Sequence, residues 1–219
     1  LMSLSSPLPP GSVIGIIGGG QLGRMLALAA ARLGFRCHIY APENDSPAFQ
    51  VAAHRTVAGY TDYAALKTFA GKVDVVTYEF ENVPSETAAF LAGRVALAPG
   101  VAALQTAQDR VDEKTFIASL GLPVAPFAAV SSEHELEAAI ARIGRPSILK
   151  TRRFGYDGKG QTRIDGDKSA GVAWAEIGKA PAILEGFISF EREISVIAAR
   201  GWDGVIAVYD VPENRHENH

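Results

Sequence analysis

The sequence has little of several features that define whole classes of protein. Cys37 is the only cysteine among 219 residues, so an internal disulfide framework is excluded and a reducing, cytoplasmic location is expected. No apolar run approaches the ~18 residues that a membrane-spanning helix needs, and the first ten residues lack the Lys or Arg that begins a signal peptide. Lys and Arg (21) do not outnumber Asp and Glu (24), which argues against a basic nucleic-acid-binding surface. We therefore expect neither a membrane nor a nucleic acid as partner.

The first hundred residues alternate short β-branched runs with longer helical stretches. The predicted strands cover 13–17, 36–40, 73–78 and 95–97, and the predicted helices cover 21–33, 62–69 and 85–91. Strands separated by helices predict right-handed βαβ units around a parallel sheet. Residues 1–100 are therefore predicted to form a small doubly wound α/β domain.

The second half of the chain has an α+β pattern. Its predicted helices cover 109–120, with Asp109 as an acidic cap, 132–143 and 168–177, and its predicted strands cover 147–150, 161–164, 182–185, 193–199 and 205–209. The segment GWDG at 201–204 indicates a hairpin between the last two strands. We place the domain boundary near residue 100.

Residues 18–23 (GGGQLG) stand between a predicted strand and a predicted helix and fit the pattern G-x-G-x-x-G. Glycines there let the backbone turn tightly and bring a helix N-terminus against a phosphate. A dinucleotide site also needs an acidic residue at the end of the second strand, but that strand ends in Tyr40, Ala41 and Pro42. The motif indicates phosphate binding more than NAD binding, and a turn packed with small residues is the alternative.

Two carboxylates, Glu79 and Glu81, follow the predicted strand that ends at Tyr78. In open α/β sheets, ligands bind at the carboxyl edge of the strands. The pair is suited to hold an amine or a ribose, or to act as a base. The alternative is a solvated strand end in which one carboxylate only caps the next helix, and both interpretations stay open.

Residues 150–160 (KTRRFGYDGKG) form the most informative segment of the chain. They contain three glycines and four cations, which are Lys150, Arg152, Arg153 and Lys159. Such a loop can arrange backbone N–H groups and mobile cations around a polyphosphate. It is not a Walker A loop, because the G-x-x-x-x-G-K-[ST] pattern is missing and a strand follows. A solvated hairpin with ordinary basic residues is the alternative.

Two further carboxylates lie at the ends of apolar strands: Glu185 ends one and Glu193 begins the next. The backbone at a strand edge can hold adenine as a paired base would, and a carboxylate can bind ribose hydroxyls. The alternative for Glu193 is a surface ion pair with Arg192. His216 and His219 have a loose metal-ligand spacing without a cysteine partner, which disfavours a zinc site.

Several segments in order give the chain a resemblance to the N5-carboxyaminoimidazole ribonucleotide synthetases, an ATP-grasp family of purine biosynthesis. They are GGGQLGRM, YEFENV, QDR with Lys114 four residues on, ILKTRRFGYDGKGQ and ILEGFISFEREISVI. The resemblance runs from about Val13 to His216. It implies a Rossmann-like pre-ATP-grasp domain over 1–100, followed by the N-terminal portion of an α+β ATP-grasp domain over 101–219. It also implies a homodimer.

The resemblance implies a reaction in which ATP, bicarbonate and 5-aminoimidazole ribonucleotide give N5-carboxyaminoimidazole ribonucleotide, ADP and phosphate. Bicarbonate would take the γ-phosphoryl group, and the resulting carboxyphosphate would release carbon dioxide beside the exocyclic amine of the substrate. The protein would position the reactants, neutralise charge and exclude water. The implied catalytic residues are Lys150, Asp157 and Lys159.

The same resemblance assigns binding residues position by position. Those implied for ATP are Arg110, Lys150, Gly155, Tyr156, Asp157, Gly158, Lys159, Gly160, Gln161, Glu185, Gly186, Phe187, Ile188, Glu193 and His216. Those implied for 5-aminoimidazole ribonucleotide are Gln21, Glu81, Tyr156, Asp157 and Lys159.

Mg²⁺ is the implied cofactor, but the family's ligands for it belong to strands after residue 219, so no metal ligand is assigned. The chain is accordingly expected to end inside its second domain. Another ATP-grasp ligase, such as a formate-dependent glycinamide ribonucleotide transformylase or a biotin carboxylase, is one alternative. A nucleotide-sensing or NAD-binding regulatory module is the other, and it would leave the basic glycine-rich loop unexplained.

Overall fold

The computed structural model describes residues 7–155 and 159–215. The chain separates into two compact units, Leu1–Gln105 and Thr106–His219. Within the described ranges, no helix combines the length and the apolarity needed to cross a bilayer.

The first unit is built on a five-stranded parallel sheet. In chain order its elements are β1 (Val13–Ile17), α1 (Gln21–Arg32), β2 (Arg36–Ala41), a 3₁₀ turn (Pro47–Gln50), β3 (His54–Val57), α2 (Tyr63–Ala70), β4 (Val75–Tyr78), α3 (Ser85–Ala92) and β5 (Ala96–Leu97), after which α4 (Val101–Gln108) begins. The strands lie in the order β3-β2-β1-β4-β5, and every neighbouring pair is parallel. The predicted doubly wound α/β arrangement is confirmed.

Branched aliphatic strand residues and helix side chains form the core of this unit. Ile17 of β1 and Val76 of β4 are buried against Leu66 and Phe69 of α2. Gly15 is required in β1, because a Cβ at this position would lie 2.6 Å from Cζ of Phe69. The helices therefore pack closely on a sheet whose strands are hydrophobic on both faces, as expected for a parallel sheet.

The second unit is centred on a four-stranded antiparallel sheet. Its elements are α5 (Arg110–Ser119), β6 (Phe127–Val130), α6 (Glu133–Ile143), β7 (Ser147–Thr151), β8 (Gln161–Ile164), α7 (Ala170–Glu176), β9 (Ala182–Gly186), β10 (Glu193–Ile194), β11 (Ala198–Arg200), β12 (Ile206–Val208) and β13 (Glu213–Asn214). The main sheet has the order β6-β9-β7-β8, while β10 pairs with β13 and β11 with β12. Leu136, Leu149, Trp174 and Leu184 belong to its core.

The structure differs from the sequence-based prediction in five elements. Strands β3, β6 and β13 and helix α4 were not predicted. The single strand predicted over 193–199 is divided into β10 and the start of β11, because Glu193 and Ile194 pair with β13 whereas Ala198 and Ala199 pair with β12. The hairpin predicted at 201–204 is confirmed, with the Gly201 amide donating to the Val205 carbonyl at 2.8 Å.

Candidate functional site

The glycine-rich loop leaves β7 after Thr151 and returns at β8, which begins at Gln161. Its two ends are held together, since the Thr151 amide donates to the Gly160 carbonyl at 2.8 Å and Lys150 pairs with Gln161 in the ladder. The start of the loop is also bound to the residue that precedes β9, because the Arg152 amide donates to the Pro181 carbonyl at 3.0 Å. Three predicted site residues in the middle of this sequence segment lie outside the described residues: Tyr156, Asp157 and Gly158.

Lys150 and Glu185, both predicted as site residues, meet across neighbouring strands. The antiparallel register of β7 and β9 places Ile148 opposite Glu185, and the Lys150 Nζ donates to Glu185 Oε2 at 2.9 Å. From α5, the Lys114 Nζ lies 3.5 Å from Glu185 Oε1. Two ammonium groups on one largely buried carboxylate leave a net positive charge, which favours an anionic ligand.

Arg110, predicted as a nucleotide contact, holds the backbone of the loop in this structure. Its Nη1 donates to the Thr151 carbonyl at 2.9 Å and its Nη2 to the Gly155 carbonyl at 2.7 Å. A Cβ at Gly155 would lie 3.2 Å from both guanidinium nitrogens, a close contact that glycine avoids. The two hydrogen bonds from Arg110 therefore fix the first turn of the loop.

Asp109, which the sequence indicates only as a helix cap, has a second role that no sequence pattern predicted. Its carboxylate accepts from the Val111 amide at 2.9 Å, as a cap does, and also from Nε of Arg152 at 2.9 and 2.8 Å. These two residues line a cavity of about 540 Å³ beside the loop, together with Thr151, Arg153, Phe154, Gly160, Ala180 and Pro181. Separation in sequence concealed the pair, since nothing in a local pattern connects residue 109 with residue 152.

The end of β9 presents a backbone edge with exposed apolar side chains. The amides of Gly186 and Phe187 donate to the carbonyls of Pro126 and Pro146. The Ile188 amide makes no hydrogen bond within the described ranges, and the side chains of Phe187 and Ile188 are exposed. An available amide beside an apolar surface is what an adenine ring requires at a strand edge.

Glu193 lies in a separate two-stranded sheet. It pairs with Asn214 in the β10–β13 ladder, and its Oε1 accepts from the Asn214 side-chain amide at 3.1 Å. His216 and His219 lie outside the described residues. The structure brings Arg110, Lys150, Gly155, Gly160, Gln161 and Glu185 together around β7, β8 and β9, and it places Gln21 and Glu81 in the first unit.

The GGGQLG motif is occupied by a side chain of the protein itself. The Glu79 carboxylate accepts from the Gly20 amide at 2.6 Å and from the Gly23 amide in a shorter contact. A Cβ on Gly20 or Gly23 would lie within about 3.0 Å of the Glu79 carboxylate. The glycines therefore accommodate Glu79, which takes the position at the N-terminus of α1 where a dinucleotide phosphate would bind.

The cavity beside this motif is acidic. It has a volume of about 550 Å³ and is lined by Gly19, Gly20, Glu43, Asp45, Ser46, Pro47, Tyr60, Glu79 and Phe80. Burial raises the pKa of Tyr60, and the nearby carboxylates of Glu43 and Glu79 raise it further. Since three carboxylates repel an anion, this cavity does not suit the pyrophosphate of a dinucleotide, and the NAD-binding alternative loses its structural basis.

Comparison with known proteins identifies the families to which both parts of the chain are similar. Residues 12–108 match the ribonucleotide synthetase preATP-grasp domain, and residues 115–219 match the ATP-grasp domain. The N5-carboxyaminoimidazole ribonucleotide synthase of Brucella melitensis is 52% identical over 213 residues, which are 96% of this chain and 59% of that protein. The chain belongs to the N5-carboxyaminoimidazole ribonucleotide synthetase family.

Solved structures of the same family have the same fold. A synthetase in complex with ADP superposes with a TM-score of 0.93 at 42% identity, covering 98% of this chain and 57% of that one. The enzyme from Aspergillus clavatus, in complex with ADP and 5-aminoimidazole ribonucleotide, has a TM-score of 0.84 at 26% identity, covering 95% and 55%. The chain therefore spans somewhat more than half the length of these synthetases.

The resemblance to the synthetases implies Mg²⁺, and the described residues do not fit a site for it. Residues 7–155 and 159–215 contain no group of three or more His, Cys, Asp or Glu side chains that converge as metal ligands. The Glu185 carboxylate is already occupied by two lysines. No step of the chemistry is therefore assigned to a metal held by these residues.

Proposed function

We propose that this chain supplies the ATP-binding wall and part of the acceptor site of an enzyme that carboxylates 5-aminoimidazole ribonucleotide with bicarbonate and ATP in purine biosynthesis. The observation that carries the proposal is the cationic cluster of Lys114 and Lys150 on Glu185, at the root of a glycine-rich loop. That arrangement suits a polyphosphate, and the ADP and ATP complexes of solved synthetases support this ligand class.

In the proposed complex, ATP lies along β7 and β9. The ammonium group of Lys150 has three donors, so it can keep its contact with Glu185 and also bind a phosphate oxygen. Ile188 would donate its amide to adenine, and Glu193 would accept from the ribose hydroxyls. The remaining proposed ATP contacts are Arg110, Gly155, Tyr156, Asp157, Gly158, Lys159, Gly160, Gln161, Gly186, Phe187 and His216.

The chemistry proposed is transfer of the γ-phosphoryl group to a bicarbonate oxygen, with ADP as leaving group. The carboxyphosphate then gives carbon dioxide and phosphate, and the exocyclic amine attacks the carbon while losing a proton. Lys150 and Lys159 would stabilise the charge on the transferring group, and Asp157 would act within the loop that covers it. Exclusion of water matters, because carboxyphosphate hydrolyses.

The acceptor, the assembly and the cofactor complete the proposal. Gln21, Glu81, Tyr156, Asp157 and Lys159 are proposed to contact 5-aminoimidazole ribonucleotide, and the Aspergillus clavatus complex supports this class of acceptor. Mg²⁺ is proposed to be held by residues outside the described ranges. We also propose a cytoplasmic homodimer.

Nucleotide competition tests the proposed ligand class. A fluorescent ATP analogue is titrated into the chain and then displaced with ATP or with NADH. We expect ATP to displace the analogue and NADH to fail. Lys150→Ala should abolish the binding without changing the circular dichroism, while Lys179→Ala, in the turn after α7, serves as the matched control. Displacement by NADH alone would refute the proposal.

Turnover tests the acceptor. ADP formation is followed in a form of the chain that carries the remaining region of the Brucella melitensis relative. We expect it to require both 5-aminoimidazole ribonucleotide and bicarbonate. Turnover that depends instead on formate with glycinamide ribonucleotide, or on biotin, would identify another ATP-grasp ligase.

A further inference from the structure

Two residues without an assigned role connect helix α5 to the glycine-rich loop. The Nε of Arg152 donates to both carboxylate oxygens of Asp109, at 2.9 and 2.8 Å. The pair is largely shielded, with the Asp109 side chain 15% and the Arg152 side chain 29% exposed. A charge-assisted contact shared between both oxygens and shielded from solvent is stronger and more directional than an exposed ion pair.

Hydrogen bonds to backbone carbonyls next to this pair also connect α5 to the loop. Next to Asp109, the Arg110 amide donates to the Arg152 carbonyl at 3.0 Å. The Arg110 guanidinium reaches two further loop carbonyls, those of Thr151 and Gly155. Arg110, the first residue of α5, thus binds three backbone carbonyls at the entrance of the loop.

The charge of Arg152 is already compensated in this arrangement. Asp109 neutralises it, and Asp112 adds a second carboxylate 3.5 Å from its Nη2. A phosphate group would therefore have to compete with two carboxylates for this guanidinium. Lys150 and Lys114 share a single carboxylate and so remain the better phosphate donors.

We propose that Asp109 and Arg152 form a positioning pair that anchors the glycine-rich loop to α5. The loop then binds ATP, and neither Asp109 nor Arg152 contacts the ATP. This inference rests on the proposed function for its consequence in ATP binding. That the pair orders the entrance of the loop does not depend on whether a nucleotide binds.

Substitutions at Asp109 and Arg152 distinguish the anchoring of the loop from the capping of α5. Asp109→Asn keeps the cap, because Asn caps a helix as well as Asp does, and removes the charge that binds Arg152. Arg152→Gln removes the other partner, and Arg152→Lys restores the charge but not the planar geometry. Arg142→Gln, an exposed arginine in the last turn of α6, is the matched control.

Amide hydrogen exchange and nucleotide affinity are measured on these variants and on the Asp109→Asn, Arg152→Gln double variant. Without nucleotide, we expect exchange of the Thr151 and Arg152 amides to accelerate about tenfold in each single variant, and no further in the double variant. The dissociation constant for a fluorescent ATP analogue should rise about 5- to 20-fold in each single variant. In the double variant it should rise no more than in either single variant, because both substitutions break the same contact. Arg152→Lys should recover part of the affinity, and the unfolding midpoint should stay unchanged.

Different results would contradict the positioning role and the proposed function. If Arg152→Gln weakens ATP binding while Asp109→Asn does not, Arg152 contacts the phosphate itself and the positioning role is wrong. Multiplicative losses in the double variant, or unchanged exchange at Thr151 and Arg152, also overturn it. If the unaltered chain fails to bind ATP, the proposed function fails, while the exchange data obtained without nucleotide still decide whether the pair anchors the loop.

Discussion

A buried histidine makes the stability of the first unit depend on pH. His38 is 2% exposed in β2, with its Nε2 2.8 Å from Thr56 Oγ1. Its Nδ1 is buried without a hydrogen-bond partner among the described residues. Burial, together with the nearby positive charges of His54 and Lys72, lowers the pKa of His38 to about 4. The folded protein therefore holds this ring neutral.

The sign of the pH effect follows from the lowered pKa. The unfolded chain takes up the proton near pH 6.5, whereas the folded chain does so near pH 4. The contribution of His38 is therefore complete above pH 6.5 and is lost as the pH falls towards 4. A difference of this size corresponds to about 3 kcal/mol.

Urea unfolding between pH 4 and pH 7 measures this effect. In His38→Gln, the decrease in unfolding free energy at low pH should be smaller than in the unaltered chain by about 2–3 kcal/mol. His134→Gln, which changes an exposed histidine of α6, should leave the pH dependence unchanged. Equal slopes in the His38 variant and the unaltered chain would contradict the assignment.

At the scale of an element, helix α1 depends on a residue that lies far away in sequence. Gly20 at its N-cap has no side chain to accept a hydrogen bond, and its first turn contains no acidic residue. The Glu79 carboxylate, which follows β4, accepts the Gly20 and Gly23 amides instead. It also places a negative charge at the positive end of the helix dipole.

Removing this carboxylate should therefore weaken the first unit. We expect Glu79→Ala to lower the free energy of unfolding by about 1–3 kcal/mol, because two amides lose their acceptor and the helix dipole loses its counter-charge. Glu79→Gln should cost less, since one oxygen still accepts. Glu86→Ala, in the first turn of α3, is the control and should have a smaller effect. The measurement is chemical denaturation, and equal effects of both Ala variants would refute the capping role.

An element could be predicted from the sequence when its apolar residues form a clear helix or strand pattern. β1 (VIGII) and β4 (VVTY) consist largely of β-branched residues, and β2 (RCHIYA) is buried at five consecutive positions, so their strand signal is strong. β3 (HRTV) is an edge strand with mostly exposed side chains, and it offers no apolar alternation. β6 (FAAV) is half alanine, which has little strand propensity. Helix α4 follows Pro99 and Gly100, which mark a turn more clearly than they mark a helix start.

The candidate site was predictable in its residue types but not in its contacts. The cations and glycines of 150–160 and the carboxylate of Glu185 are visible in the sequence. Their meeting depends on the register between β7 and β9, which places Ile148 opposite Glu185. Lys114 joins them from a helix 71 positions away in the chain from Glu185 (185 − 114), and no local pattern carries that information.

At the scale of the whole molecule, each unit has a core of its own. The clusters of buried residues in the first unit contain residues between Ile14 and Leu104, and the cluster in the second unit lies between Ala128 and Leu184. None of these clusters combines described residues of both units. Residues that pack into one hydrophobic core unfold together. Two units with separate cores therefore predict two unfolding transitions.

Scanning calorimetry with paired variants tests this organisation. Leu66→Ala in the first core and Leu149→Ala in the second each truncate a side chain with no exposed surface, and each should cost about 2–5 kcal/mol. We expect two transitions in the unaltered chain, with Leu66→Ala lowering the midpoint of only one and Leu149→Ala lowering only the other. A nucleotide that binds at Lys150 should raise only the transition that Leu149→Ala lowers, because a ligand stabilises the unit to which it binds. If both variants displace a single common transition, the two cores unfold as one and the division into independent units is wrong.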